Sequence, residues 1–213
     1  MLSDTAIVFV IDDDEAVRKS VQRLLDTARY EVELFKSASE FLSRPVHAGP
    51  SCLVVDIKMP GLSGIDLQKA LIERGREERI VFITGHGDVP MCAQAMKAGA
   101  IDFLLKPFKR KELLQSVERA LSRSTEQRQR ESAKNHARAL IEKLTPREFQ
   151  VMQLVATGML NKQVGAELGT AEKTVKTHRS HVMQKLGITS VAELIRVLQK
   201  AEMTPGLRPG TKV

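Results

Sequence analysis

Several apolar runs in the first half of the chain end on residues that can do chemistry. "VFVIDD" closes on Asp12 and Asp13, "CLVVD" on Asp56, "VFIT" on Thr84 and "FLLK" on Lys106. Three carboxylates gathered at one place repel one another unless a cation joins them, and hard oxygen ligands with room left for water suit Mg²⁺. A hydroxyl, an ammonium and a metal ion around one carboxylate are what a phosphoryl group needs: metal and Lys106 neutralise its oxygens, and Thr84 hydrogen-bonds one of them. Asp56 is then readable as a nucleophile that becomes an aspartyl phosphate. A second pattern lies in "EKTVKTHRSHVMQKLG", where Val175, Val182, Met183 and Leu186 recur at helical spacing and leave Lys173, Lys176, Thr177, Arg179 and Ser180 on the other face. That basic face has a width that fits the major groove of DNA, although a solvated basic face is the commoner cause of such a run.

The acids meet only if the runs before them are strands of one sheet. "IVFVI", "VELF", "CLVV", "IVFIT" and "DFLL" alternate with amphipathic segments around 15–26, 37–42, 64–74 and 90–98, and a fifth helix is expected to begin near Lys109. This repetition predicts an α/β domain with a parallel sheet covered on both faces. In the flavodoxin-like strand order 2-1-3-4-5, Asp12, Asp13 and Asp56 converge at the switch point beyond the strands' carboxyl ends, where ligands bind. Ser37 with Glu40 fits a capping box, Asp88 before Pro90 fits a cap ahead of a first-turn proline, and Asp14 is read as the cap of the first helix. His86 is read as a local loop residue.

From Ser122 to about Lys143 the chain is polar and free of Gly and Pro, and is predicted to be at least partly helical. Thr145, Pro146 and Glu148 then form a capping box with proline at the first helical position, and that helix closes at Gly158. Three further helices joined by short turns follow, with a helix-turn-helix whose turn lies at Gly169-Thr170 and whose second helix Thr170 is expected to cap. The predicted division is an α/β domain at 1–122, a linker at 123–143, an all-α four-helix helix-turn-helix domain at 144–201 and a flexible tail at 202–213.

The formal charge of +7 over 213 residues is uneven: residues 1–122 carry 17 basic and 18 acidic side chains, residues 123–143 carry 6 and 3, and residues 144–213 carry 10 and 5. The basic excess of the last part points to a polyanionic partner. No apolar run approaches the ~20 residues of a membrane span, and "MLSDTAIVFVIDDD" shows neither a basic lead nor a cleavage site, so a cytoplasmic protein is expected. Cys52 and Cys92 have no metal or redox spacing and are read as reduced structural thiols.

"VIDDDEA", "VVDIKMPGLSG", "FITGHGD" and "AIDFLLKPF" together resemble the receiver domain of two-component response regulators, most closely of the FixJ type. The resemblance implies that Asp13, Asp56 and the backbone carbonyl of Lys58 bind Mg²⁺, with Asp12 assisting through water. It further implies that Lys106 binds the phosphoryl group, that Lys106-Pro107 is a cis peptide, and that Phe103 is the aromatic switch residue turning inward as Thr84 moves onto the phosphate. The surface around 88–108 would form the dimer face. "LTPREFQVMQLVATG", "NKQV" and "KTVKTH" resemble the effector domain of LuxR/FixJ/NarL-type transcription factors. By that resemblance Lys176, Thr177 and Ser180 approach base edges, Lys162, Lys173, His178 and Arg179 contact phosphates, and the last helix, around Val191 to Leu198, makes a dimer contact on DNA. Leu160, Gly165 and Thr189 depart from the usual Ser, Ala and Arg, and Gly165 inside a helix is expected to cost about 1 kcal/mol relative to Ala.

The partners implied are a sensor histidine kinase, double-stranded promoter DNA and a second copy of the chain on phosphorylation, with RNA polymerase as a further partner and no membrane. Three rival readings remain. One is a phosphohydrolase built on "DDDEA", in which the acid at Asp14 fits the haloacid dehalogenase pattern and Ala16 does not. The others are a pseudo-receiver that takes no phosphate and a module that recognises RNA.

Overall fold

In the computed structural model residues 6–76, 78–85 and 89–205 are described, so the expectations placed on Asp88, on His86 and on the tail from residue 206 onward lie outside the described residues. The chain divides into two compact units, Met1–Arg128 and Gln129–Val213.

In the first unit the strands β1 (Ile7–Ile11), β2 (Glu31–Phe35), β3 (Ser51–Asp56), β4 (Arg79–Thr84) and β5 (Asp102–Leu105) form one sheet, and helices α1 (Glu15–Asp26), α2 (Ala38–Ser43), α3 (Gly64–Glu73), α4 (Val89–Lys97) and α5 (Arg110–Ile141) follow them in turn, the last helix running on past Arg128 into the second unit. All pairings are parallel and the order is β2-β1-β3-β4-β5, the expected flavodoxin-like arrangement. Alternate residues of each strand serve opposite faces. Phe9, Ile11, Leu53, Val55 and Phe82 pack with Phe41, Leu67, Leu71 and Ala95 of α2, α3 and α4. Val8, Val10, Val54, Val81 and Ile83 pack with Val21, Leu25, Leu113 and Val117 of α1 and α5. Both faces are therefore covered, which is why β1, β3 and β4 read as unbroken apolar runs. Full burial of each large side chain contributes about 1.5–3 kcal/mol relative to exposure, so the two cores fix the strand register firmly. Cys52 and Cys92 are both free thiols, and burial pushes the Cys52 thiol far up.

The helix starts follow their side chains. Asp14 accepts from the Ala16 and Val17 amides at 2.7 and 3.4 Å, capping α1 as expected. Ser37 caps α2 by accepting from Glu40 N at 3.2 Å, but the Glu40 carboxylate takes the Lys36 amide rather than that of Ser37, so only half of the expected box forms. The polar stretch after Leu121 is helix throughout, because α5 continues without a break to Ile141. Its composition of Arg, Glu, Gln and Ala favours helix. One internal contact also holds it: Ser124, nearly buried, accepts the Ser51 amide at 3.1 Å.

In the second unit α6 (Pro146–Ala156), α7 (Asn161–Glu167), α8 (Glu172–Leu186) and α9 (Val191–Lys200) surround a core of Val151, Met152, Val164, Val175, Val182, Leu194 and Leu198, into which Ala137 and Ile141 of α5 also pack. Thr145 and Glu148 form the complete capping box at the start of α6. The cap of α8 is Ala171, not Thr170. The turn after α7 uses up Thr170, whose amide bonds the Gly165 carbonyl at 2.9 Å, so the helix begins one residue later.

Candidate phosphoacceptor site and nucleic-acid interface

The sheet delivers Asp12, Asp56 and Thr84 to one rim because β1, β3 and β4 are neighbours and end level, and all three residues are buried. Lys106, just past β5, reaches back between the acids: its Nζ donates to Asp12 Oδ2 at 2.7 Å and to Asp56 Oδ1 at 2.6 Å. Its backbone amide donates to the Thr84 carbonyl at 2.7 Å, tying the lysine to the end of β4. Lys106-Pro107 is a cis peptide, as the resemblance implied. Burial works against the Lys106 charge, yet the hydrogen bonds to Asp12 and Asp56 outweigh it and hold the ammonium above the usual lysine range. Asp12 is pushed above the usual carboxylate range by burial, with Lys106 pulling the other way.

Asp56 Oδ2 accepts the Lys58 amide at 2.8 Å, so both carboxylate oxygens are engaged and aimed. Asp13 stands apart from this cluster: it is exposed and, with Lys58, lines an open cleft of about 800 Å³ whose far wall is Pro90, Met91 and Gln94. Among the described residues no three His, Cys, Asp or Glu side chains form a ready metal cluster, and Lys106 bridges Asp12 and Asp56. Phe103 sits opposite Phe82 in the β4–β5 register, half-buried against the first core.

Gly64, the last residue of "VVDIKMPGLSG", has a role that only the folded chain reveals. A Cβ there would lie 2.5 Å from the Asp56 carbonyl and 3.1 Å from Ile57 Cα. The first turn of α3 thus rests on the backbone at the end of β3, with Gly64 N bonded to Ile57 O at 2.9 Å. Only a residue without Cβ permits that approach.

In the second unit α8 turns Val175, Val182 and Leu186 into the core, with Met183 half-buried, and leaves Lys173, Lys176, Thr177 and Ser180 exposed. Lys162 lies near the start of α7. Two expected contact residues are less free: Arg179 is half-buried with Nη1 on Asn161 Oδ1 at 3.2 Å, and His178 is half-buried with its Nδ1 enclosed and unpartnered among the described residues. Lys185 was not legible in the sequence: its Nζ donates to buried Glu148 at 2.6 Å and joins α8 to the capping box of α6. The two lie 37 positions apart, and no short-range pattern connects them.

A lysine bridging two buried aspartates at the carboxyl rim of a β2-β1-β3-β4-β5 sheet, followed by a helix-turn-helix with a basic second helix, defines a receiver coupled to a DNA-binding effector. The chain belongs to the two-component response regulators of the luxR family: residues 8–118 match the family described as response regulator receiver domain, and residues 142–198 match bacterial regulatory proteins, luxR family. It joins a receiver domain to a luxR-type DNA-binding domain of a transcription regulator, and it is similar to regulators of the FixJ type. Nodulation protein W of Bradyrhizobium diazoefficiens is 49% identical over 195 residues, spanning 92% of this chain and 86% of that one. The transcriptional regulatory protein FixJ of Azorhizobium caulinodans is 40% identical, spanning 93% and 94%. Among solved structures the response regulator StyR aligns with a TM-score of 0.84 at 47% identity, covering 92% of this chain and 99% of that one. Among the described residues no helix is long and apolar enough to cross a membrane.

Proposed function

We propose that a sensor histidine kinase transfers a phosphoryl group to Asp56, and that the phosphorylated chain pairs with a second copy and binds double-stranded promoter DNA, where it meets RNA polymerase. The observation that carries this reading is the Lys106 bridge between Asp12 and Asp56. A phosphohistidine donor presents phosphorus to Asp56; a P–O bond forms as the P–N bond breaks, and the leaving imidazole nitrogen keeps the electron pair and takes up a proton. Lys106 follows the new negative oxygens, and the Thr84 hydroxyl hydrogen-bonds one of them. Phe103 then turns inward, remodelling the surface over 88–108. Receivers hold Mg²⁺ at this acidic pocket, and the residues here fit it: one ammonium against three acids leaves negative charge over, and every donor is hard oxygen. Asp13, Asp56 and the Lys58 carbonyl would hold the ion, with Asp12 acting through water. When bound, it neutralises charge on the phosphoryl oxygens.

On the DNA side Lys176, Thr177 and Ser180 read base edges, while Lys162, Lys173, His178 and Arg179 hold phosphates. Residues 1–122 act as the receiver and 144–201 as the effector, joined by 123–143 and followed by a tail at 202–213. The protein works in the cytoplasm, and its output is DNA occupancy, not substrate turnover. Incubation with a small-molecule phosphodonor and Mg²⁺, with mass and oligomeric state read together, tests this. Gain of one phosphoryl group with dimerisation, both lost in Asp56→Asn, is the expected result. Steady turnover of a phosphate ester that Asp12→Ala abolishes and Asp56→Ala spares would sink the reading in favour of a phosphohydrolase.

A further inference from the structure

Asp12 is held at every polar atom. Its amide donates to the Phe35 carbonyl at 3.2 Å, Oδ1 accepts the Asp14 amide at 2.9 Å, and Oδ2 accepts Lys106. Its carbonyl, the oxygen of the peptide that leads into Asp13, accepts from Arg18 Nη1 at 2.5 Å. Arg18 is half-buried on the first turns of α1, and its amide bonds the Asp14 carbonyl at 3.0 Å, so the helix that carries the guanidinium starts from the same loop. Asp13 is the member of this loop whose carboxylate stays exposed at the cleft.

The consequence depends on what Lys106 does. In the state described here its ammonium balances Asp12 and Asp56. On the reading above it leaves them for the phosphoryl oxygens, and the loop carrying Asp12, Asp13 and Asp14 then loses its main cation. Arg18 does not depend on that exchange, because its partner is a backbone carbonyl. Its guanidinium is permanently charged and directional, so it both fixes the Asp12–Asp13 peptide plane and places positive charge beside the acids.

We propose that Arg18 is a positioning residue for the metal site: through the Asp12 carbonyl it sets the direction of the Asp13 carboxylate and so the affinity for Mg²⁺. This rests on the reading that Asp13 and Asp56 hold the ion during phosphorylation of Asp56. Groups that hold a metal ligand in place without touching the metal change affinity by about 10- to 100-fold when removed.

The test compares full-length wild type, Arg18→Met, Arg18→Lys and Asp56→Asn. Melting temperature is followed against Mg²⁺ concentration without any donor, and phosphorylation rate by a small-molecule donor is followed against Mg²⁺. Arg18→Met is expected to raise the half-saturating Mg²⁺ about tenfold in both measurements, with the plateau rate changed less than about twofold. Arg18→Lys, which keeps the charge and loses the fork, should recover part of the difference. An unchanged half-saturation in Arg18→Met, or a lower plateau at the wild-type half-saturation, would overturn the proposal. If Arg18→Met melts too low without Mg²⁺ to be titrated, the half-saturation of Arg18→Lys decides, a wild-type value again overturning it. Failure of the underlying reading looks different: wild type then takes up no phosphoryl group at any Mg²⁺ concentration.

Discussion

At the scale of single residues, the second unit carries its clearest electrostatic signature at Glu148. Hydrogen bonds from Lys185 and from the Thr145 amide hold its carboxyl down at about 2, against 4.5 for an ordinary glutamate. A depressed folded value means that the unfolded chain binds the proton more readily. The stabilisation is therefore fully present above about pH 4.5 and is lost as pH falls toward 2. Amide exchange of α6 and α8, followed from pH 6 to pH 3, should show protection falling across that window. Glu148→Gln should flatten the fall and cost about 1.5–3 kcal/mol at neutral pH, the range for a hydrogen bond to a charged group. A fall just as steep in Glu148→Gln would show that other acids dominate. The capping box was legible in the spacing of Thr145 and Glu148, and so were Asp12, Asp56, Thr84 and Lys106, because each ends an apolar run. Lys185, Arg18 and the role of Gly64 were not, since each acts on a partner fixed only by the folded chain.

At the scale of elements, Gly165 shows how a local rule can mislead. Propensity alone makes Gly165→Ala stabilising by about 1 kcal/mol. In the structure a Cβ at that position would lie 2.8 Å from the Thr170 carbonyl, a backbone atom that cannot swing aside, so the turn would have to move. That turn sets the angle of α8 against α7 through the Thr170 amide on Gly165. We expect the clash to outweigh the propensity gain, lowering stability by about 1 kcal/mol and weakening DNA binding by displacing α8. Thermal unfolding of Gly165→Ala beside wild type decides it, and a raised melting temperature would mean that the turn yields easily. The strands and the helices α1 to α4 were readable because both faces of the sheet are buried and their apolar periods are clean. The length of α5 was less so: from Ser122 to His136 it buries little besides Ser124, and its return to a core shows only at Ala137 and Ile141.

At the scale of the whole molecule, the basic excess beyond residue 122 becomes a statement about salt. Each phosphate neutralised releases counterions, and log K falls with log salt by about 0.9 for every such contact on duplex DNA. Lys162 and Lys173 are assigned to phosphates and Lys176, Thr177 and Ser180 to bases, so the two groups should separate on titration. Lys173→Ala should weaken operator and random duplex alike and flatten the salt slope by about 0.9 per bound protomer. Lys176→Ala should instead narrow the gap between operator and random duplex, by about 1–3 kcal/mol if it makes a bidentate contact to guanine. On the proposed pairing of two phosphorylated copies, twice as many phosphates are contacted, and the second copy binds its half-site at an effective concentration set by the first. Phosphorylated wild type should then show about twice the slope of Asp56→Asn on a two-fold operator. Equal slopes for the two would mean that the receiver governs something other than the number of effector domains on the DNA.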